Sequence, residues 1–307
     1  MTSKRVRADL ALAFCSLIWG ATFVMVKDAL ADISVFVYIA IRFGLAALAM
    51  GVLFWRSVRS LNLQAVWAGG QIGFFMLGGY IFQTAGLKYT TPSKAAFITG
   101  CSVVLVPLLL ALFGLRRITG WIWAGAVAAL AGLYFLTVPP EGLGALNRGD
   151  PLVFLCAVMF GLHIIFVGRH IERHSVGALS FVQVATTAML SAAFLPVFSL
   201  THWELAKLHW TGSLIVAILV TAIGSTVIGF SFQVWAQQYA SPSHTAILVS
   251  LEPVFAAITS LALGREHFGP RMIAGATLVF LGILLAELKG PAPAAAESPE
   301  PALPSIE

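Results

Sequence analysis

Residues 241–266 read SPSHTAILVSLEPVFAAITSLALGRE, and residues 91–116 read TPSKAAFITGCSVVLVPLLLALFGLR. One shift of 150 positions (242 − 92) sets Pro92 on Pro242, Ser93 on Ser243, Ala96 on Ala246 and Gly114 on Gly264. The same shift carries upstream to Gly79 and Gly229, Phe82-Gln83 and Phe232-Gln233, and Tyr89 and Tyr239, and downstream to Gly125 and Gly275, and Gly132 and Gly282. Nearer the N-terminus the shift becomes 141 (150 − 9), with Asp9 on Asp150, Cys15 on Cys156, Gly20 on Gly161 and Arg42 on Gln183. The change of register predicts about nine extra residues in the later copy, in or near the segment THWELAKLHW at 201–210. The chain is an internal duplication.

Composition identifies the solvent. With 59% hydrophobic and only 10% charged residues, and a mean hydropathy of +0.92, the chain has too little polar side chain to cover a water-facing surface. Apolar runs of about 20 residues recur along it, each long enough to cross a hydrocarbon core. Ten such runs are expected, at 8–27, 33–54, 67–87, 92–113, 119–138, 150–170, 177–198, 211–235, 242–263 and 270–289. They show no strand-like alternation, so they read as helices. Lys4, Arg5 and Arg7 precede the first run, but Trp19-Gly20-Ala21-Thr22 has a counterpart at 160–163, so that run is expected to be a retained span rather than a signal peptide.

Lys and Arg in the connections set the orientation. With a cytoplasmic N-terminus, ten of them fall inside (Lys4, Arg5, Arg7, Arg56, Arg59, Arg116, Arg117, Arg169, Arg173 and Lys289) and seven outside (Lys27, Lys88, Lys94, Arg148, Lys207, Arg265 and Arg271). Both termini are therefore expected on the cytoplasmic side of the inner (plasma) membrane. The net charge of +5 follows from this bias, and no basic run interleaved with aromatics points to nucleic acid. Residues 290–307, with five prolines, are expected to form a disordered cytoplasmic tail.

The fold class is thus an all-α membrane protein, with repeats at 8–138 and 150–289. Five spans is an odd number, so the second repeat enters the membrane from the side opposite to the first. Two inverted five-helix repeats are the architecture by which many secondary transporters expose one central site to each side in turn. A non-transporting membrane protein, lipid-handling or accessory, is the alternative. It would have a hydrophobic interior without a polar cavity.

The segments SLIWGATFVMVK, GLKYTTPSKAAFITG and AQQYASPSHTAILVSLEPVFAAITSLALGREHF, with Arg42 between the first two, resemble the EamA-type ten-helix permeases of the drug/metabolite transporter superfamily. The resemblance covers about residues 8–288 and is more specific in the second half. It implies a carrier of small polar or amphipathic metabolites, often working outward, with helices 1, 3, 4, 6, 8 and 9 around a central cavity. The first copy departs from the pattern, with Arg116-Arg117 opposite Arg265-Glu266 and Pro107 four residues beyond the register of Pro253.

Within the spans, polar and aromatic residues that a bilayer would exclude are the candidates for the site. Glu252 lies near the middle of its span and is followed by Pro253, which removes a backbone donor. Arg42 lies at similar depth, so the two form either a structural ion pair or a coupling device in which Glu252 titrates, with protons as the coupling ion. Trp19, Thr22, Tyr80, Gln83, His163, Phe230 and Gln233 are the candidates for lining the substrate cavity. Lys94 and His244, equivalent positions at the entrances to spans 4 and 9, are the candidates for its rim. Cys15, Cys101 and Cys156 read as small packing residues. No Walker loop, HExxH or supported GxSxG motif is present, and His170 and His174 have no further ligands in sequence reach, so neither an enzyme nor a cofactor or metal is expected.

Overall fold

The computed structural model describes residues 2–90, 92–114, 118–138, 140–144, 147–200, 206–262 and 269–289. All of its elements are helical. They are α1 (Thr2–Ala29), α2 (Val35–Leu53), the short α3 (Trp55–Arg59), α4 (Leu63–Leu87), α5 (Pro92–Gly100), α6 (Ser102–Leu112), α7 (Gly120–Thr137), α8 (Gly149–His170) and α9 (Val176–Leu200). There follow α10 (Gly212–Val220), a π-helical stretch (Thr221–Ile228), α11 (Gly229–Ala236), α12 (Pro242–Val249), α13 (Glu252–Ala262) and α14 (Pro270–Lys289).

Eight helical stretches among the described residues are long and apolar enough to cross a membrane, from Lys4–Ala29 to Gly212–Ala236. They correspond to the first eight expected spans. The other two fall outside this count for local reasons. The expected span 242–263 is interrupted at Ser250 and Leu251, which separate α12 from α13, just before a proline that cannot donate to the carbonyl four residues back. In the expected span 270–289 the apolar part is shorter, Pro270–Leu285. The expected tail, and the link around Arg265, lie outside the described residues.

The ladder is altered at three places. α5 and α6 are separated by Cys101, whose N–H reaches both Phe97 O and Ile98 O at 3.2 Å. α12 and α13 are separated at Ser250 and Leu251, the positions that the shift of 150 pairs with Gly100 and Cys101. The third alteration is the π-helix, an uncommon conformation that recurs at functional sites. There the Thr226 hydroxyl donates to Thr221 O, five residues back, at 3.0 Å.

Helix starts follow ordinary capping rules. Asn62 accepts from Ala65 N at 2.8 Å, Thr211 from Leu214 N at 3.2 Å, and Ser241 from His244 N at 3.3 Å, with Pro242 at the first helical position. The extra residues of the second copy have a structural use. Ser34 N donates to Lys207 O at 3.0 Å and His209 N to Asp32 O at 2.9 Å, an isolated antiparallel bridge onto the α1–α2 connection.

Glycines set the closest helix contacts. On α7 and α14, a Cβ at Gly132 would stand 2.6 Å from Gly275 O, and one at Gly282 would stand 2.6 Å from Gly125 O. Position rises along one helix as it falls along the other, so the two run antiparallel, with backbones touching through a face that side chains would hold apart. Elsewhere the close approaches join α4 to α8 and α9: a Cβ at Gly79 would meet the Phe160 ring at 2.6 Å, and one at Gly69 would meet Val182 at 2.5 Å.

Gly132→Ala is expected to destabilise the protein by about 1–3 kcal/mol through overpacking. Gly44→Ala, where an added Cβ meets nothing within 4 Å, is expected to leave stability unchanged. Thermal melting of the two purified variants in one detergent checks the difference.

Candidate functional site

A cavity opens between α1, α4, α8, the π-helical stretch with α11, and the two interrupted helices. The structure brings Trp19, Thr22, Tyr80, Gln83, His163, Phe230 and Gln233 together around this one space. Arg42 and Glu252 face the same space.

Four rings and an imidazole make its aromatic wall. Trp19 and Phe230 have centroids 5.2 Å apart, Tyr80 and Phe160 5.4 Å in an edge-to-face arrangement, and His163 and Phe230 5.6 Å. These separations lie in the range where aromatic pairs attract beyond their buried area. The rings of α1 and α8 are held by the glycines facing them. A Cβ at Gly229 would stand 2.8 Å from the Trp19 indole nitrogen, and that nitrogen donates to Ser225 O at 2.9 Å.

The expected Arg42–Glu252 ion pair is not formed; among the described residues no contact within 4 Å joins the two. Arg42 Nε donates to Thr226 Oγ1 at 3.0 Å and a terminal nitrogen donates to Tyr80 Oη at 3.2 Å. Its guanidinium also lies 4.8 Å from the Tyr80 ring centroid and 5.4 Å from that of Phe43. Cation–π contact and hydroxyl acceptors thus solvate this buried charge in place of a carboxylate. The acceptor on the π-helix was not foreseeable from depth alone. Glu252 keeps its carboxylate without a hydrogen-bond donor among the described residues. Gly20 fixes where Glu252 sits, because a Cβ there would stand 2.4 Å from Glu252 O.

The amides and the imidazole divide between scaffold and cavity. His163 Nε2 lies 2.9 Å from Gln183 Oε1; that oxygen can only accept, so Nε2 is the donor of this bond. Gln233 Nε2 donates to Gln237 Oε1 at 3.3 Å, and Gln237 Nε2 to Ile164 O at 2.8 Å. The Gln233 oxygen has no partner among the described residues. Gln83, its equivalent in the first copy, makes no hydrogen bond among the described residues. Thr22 Oγ1 lies 2.9 Å from Ser225 Oγ.

Of the two expected rim residues, His244 is 7% exposed and faces away from the cavity, with Nε2 2.9 Å from Asp9 Oδ1. That contact ties the start of α12 to α1. The side chain of Lys94 lies outside the described residues.

Sequence reasoning missed Thr84, Thr99, Ser102 and Ser225, all on the cavity wall. A single hydroxyl within an apolar run barely changes its hydropathy, so these residues carry no hydropathy signal. For two of them a signal did exist. The shift of 150 sets Ser102 on Glu252 and Thr99 on Val249, and all four residues line the cavity. With Trp19 and Phe160, Thr22 and His163, Tyr80 and Phe230, and Gln83 and Gln233, equivalent positions of the two copies face one space.

Comparison with known proteins agrees with this arrangement. The model of the EamA-like transporter family matches the chain twice, over residues 6–138 and 147–288. An uncharacterized transporter of Archaeoglobus fulgidus is 35% identical over 291 residues, 93% of this chain and 87% of that one. The threonine/homoserine exporter RhtA of Escherichia coli K12 is 27% identical over 186 residues, 60% of this chain and 58% of its own length. A chain of known crystal structure shares the fold with a TM-score of 0.73 at 22% identity, over 92% of this chain and 96% of that one. A multi-pass membrane protein with a polar, aromatic-walled cavity, this chain belongs to the EamA-like transporter family.

Proposed function

We propose that the protein is a secondary transporter that exports a small polar or amphipathic metabolite across the plasma membrane by alternating access. Its ten membrane helices form two inverted five-helix repeats, 8–138 and 150–289, and both termini are cytoplasmic. The observation that carries this reading is the pairing of equivalent residues around one cavity. A non-transporting, lipid-handling protein has no use for facing glutamines and a carboxylate in its interior.

Inversion draws support from the α7–α14 seam. The contact of Gly125 with Gly282 becomes, under the repeat shift, the contact of Gly275 with Gly132, and both are made. Two equivalent helices that cross antiparallel and exchange their contacts are related by a two-fold axis perpendicular to them, which for membrane helices lies in the membrane plane.

The two copies also differ in a way that alternating access requires. The cavity extends along α1 and α4 to Val26, Thr84 and Leu87. Their equivalents Val167, Val234 and Gln237 do not border it, and Gln237 Nε2 is bonded to Ile164 O. With the N-terminus inside, Val26 and Leu87 stand at the outer ends of their helices, so this shape faces outward and Gln237 closes the inner side. Exchanging the two shapes between the repeats would open the other side.

The cavity offers a substrate an aromatic wall for its apolar part, amide and hydroxyl partners for its polar part, and one carboxylate, Glu252. The RhtA relative, named for threonine and homoserine, is consistent with cargo of this size. Neutralisation of Glu252, by a proton in the simplest case, is the step that couples the cycle to a gradient.

Comparing metabolites in cells with and without the gene, then measuring flux of the changed compounds in proteoliposomes, tests the reading. Counterflow of at least one compound is expected; Gln83→Ala and Gln233→Ala should each raise its half-saturating concentration about tenfold, equivalent to about 1.4 kcal/mol. Absence of flux for every changed compound would refute transport. A reporter fused after Glu307 should be active in the cytoplasm, and activity confined to the outer side would overturn the topology.

Glu252→Gln should fold normally, because no partner charge is stranded. Loss of one member of a buried ion pair would instead cost about 3–5 kcal/mol. The variant should still exchange cargo but fail to accumulate it against a pH gradient. Undiminished gradient-driven accumulation would remove Glu252 from coupling.

A further inference from the structure

Beside the main cavity lies a smaller pocket, with room for a water-sized body rather than a metabolite, wedged between the interruption of α5 and α6 and that of α12 and α13. Its polar side chains are those of Thr99, Ser102, Ser250 and Glu252, and Val249 is among the other residues around it. Thr99, Ser102, Val249 and Glu252 border the main cavity as well.

The polar groups of this pocket are all oxygens, and apart from the Ser250 hydroxyl each has a reason to be available. The residue four beyond Val249 is Pro253, which has no N–H, so the Val249 carbonyl cannot receive the usual helical donation. The Glu252 carboxylate has no hydrogen-bond donor among the described residues, and the Ser102 hydroxyl makes no hydrogen bond there. Thr99 Oγ1 has only a 3.9 Å contact with Cys156 Sγ. The Ser250 hydroxyl is already committed, donating to Ile247 O at 2.6 Å.

Hydroxyls, a released carbonyl and one carboxylate at paired helix breaks form a donor set for a hard cation. One negative charge fits a monovalent ion, because a divalent one would leave an uncompensated charge inside the membrane. The neighbouring charged and titratable groups, Arg42, Tyr80 and His163, face Glu252 from the main cavity and do not line the pocket.

We infer that this pocket is a binding site for a small monovalent cation of sodium's size, held by Glu252, Ser102, Thr99 and the Val249 carbonyl. The inference rests on the transporter reading and adds to it a second occupant that neutralises Glu252 in place of a proton. Since Glu252 faces both spaces, ion and cargo share a ligand, and occupation of the small pocket alters the charge that the cargo meets.

The test is equilibrium binding of radioactive sodium to the purified full-length protein in nanodiscs, at constant ionic strength with choline as the replacement cation. Saturable binding of about one ion per chain, poorly displaced by potassium, is expected. Glu252→Gln should abolish it, and Ser102→Ala and Thr99→Val should each weaken it roughly tenfold, with melting temperatures measured to confirm that each variant is folded. The two hydroxyl variants keep the test decisive if Glu252→Gln fails to fold. No saturable sodium binding, equal competition by potassium, or binding unchanged in Ser102→Ala and Thr99→Val would overturn the inference. So would a pH-dependent signal that sodium does not move, which would make the proton the sole occupant. The assay needs no cargo: counterflow without sodium binding would refute the cation site and leave transport standing, and sodium binding without flux would do the reverse.

Discussion

A hydrocarbon solvent offers no hydrogen bonds, so any backbone that leaves the α-helical ladder at membrane depth has to be covered by protein or open onto a polar space. This constraint organises the molecule. The ladder is altered at Cys101, at Ser250 and Leu251, and through Thr221–Ile228, and each place adjoins the central cavity through Ser102, Glu252 or Ser225. The uninterrupted pair α7 and α14 takes the opposite role. Its glycines bring two backbones into contact, and none of the residues lining the cavity belongs to it.

The π-helix shows how irregular backbone and charge support each other. Its wide turns present Thr226 Oγ1 to Arg42 and Ser225 O to Trp19, while the Thr221 hydroxyl meets Tyr38 Oη at 2.9 Å. A guanidinium buried to 3% exposure is therefore hydrogen-bonded without a carboxylate beside it, and Glu252 is left facing the cavity. In the second copy the equivalent of Arg42 is Gln183, which bonds His163 instead. Equivalent positions thus carry a guanidinium held by hydroxyls in one half and an amide bonded to an imidazole in the other.

Much of this was legible in the sequence, because the solvent makes hydropathy a strong signal and duplication makes the chain its own comparison. The first eight spans, the seven cavity residues and the glycine seam could all be read from apolar runs and from equivalent positions. Three features could not. Depth places Arg42 and Glu252 at the same level but says nothing of rotation about the helix axis, so it left the ion pair and its alternative both open. Thr84 and Ser225 are small and weakly polar, and their equivalents Val234 and Phe75 do not border the cavity, so duplication does not mark them. The π-helix has no hydropathy signature, since Thr, Ser and Gly within an apolar run satisfy an ordinary α-helix equally well.

The α7–α14 seam has a consequence for how such a chain can change over generations. When the two helices carried one sequence, any substitution on the contact face would have struck the seam twice, once from each side. In a single chain the same substitution strikes once, so α7 and α14 are free to drift apart wherever their side chains do not meet a backbone. Gly132, Gly275 and Gly282 are where that freedom ends, because an added Cβ at each would meet main chain, which no compensating mutation can make smaller.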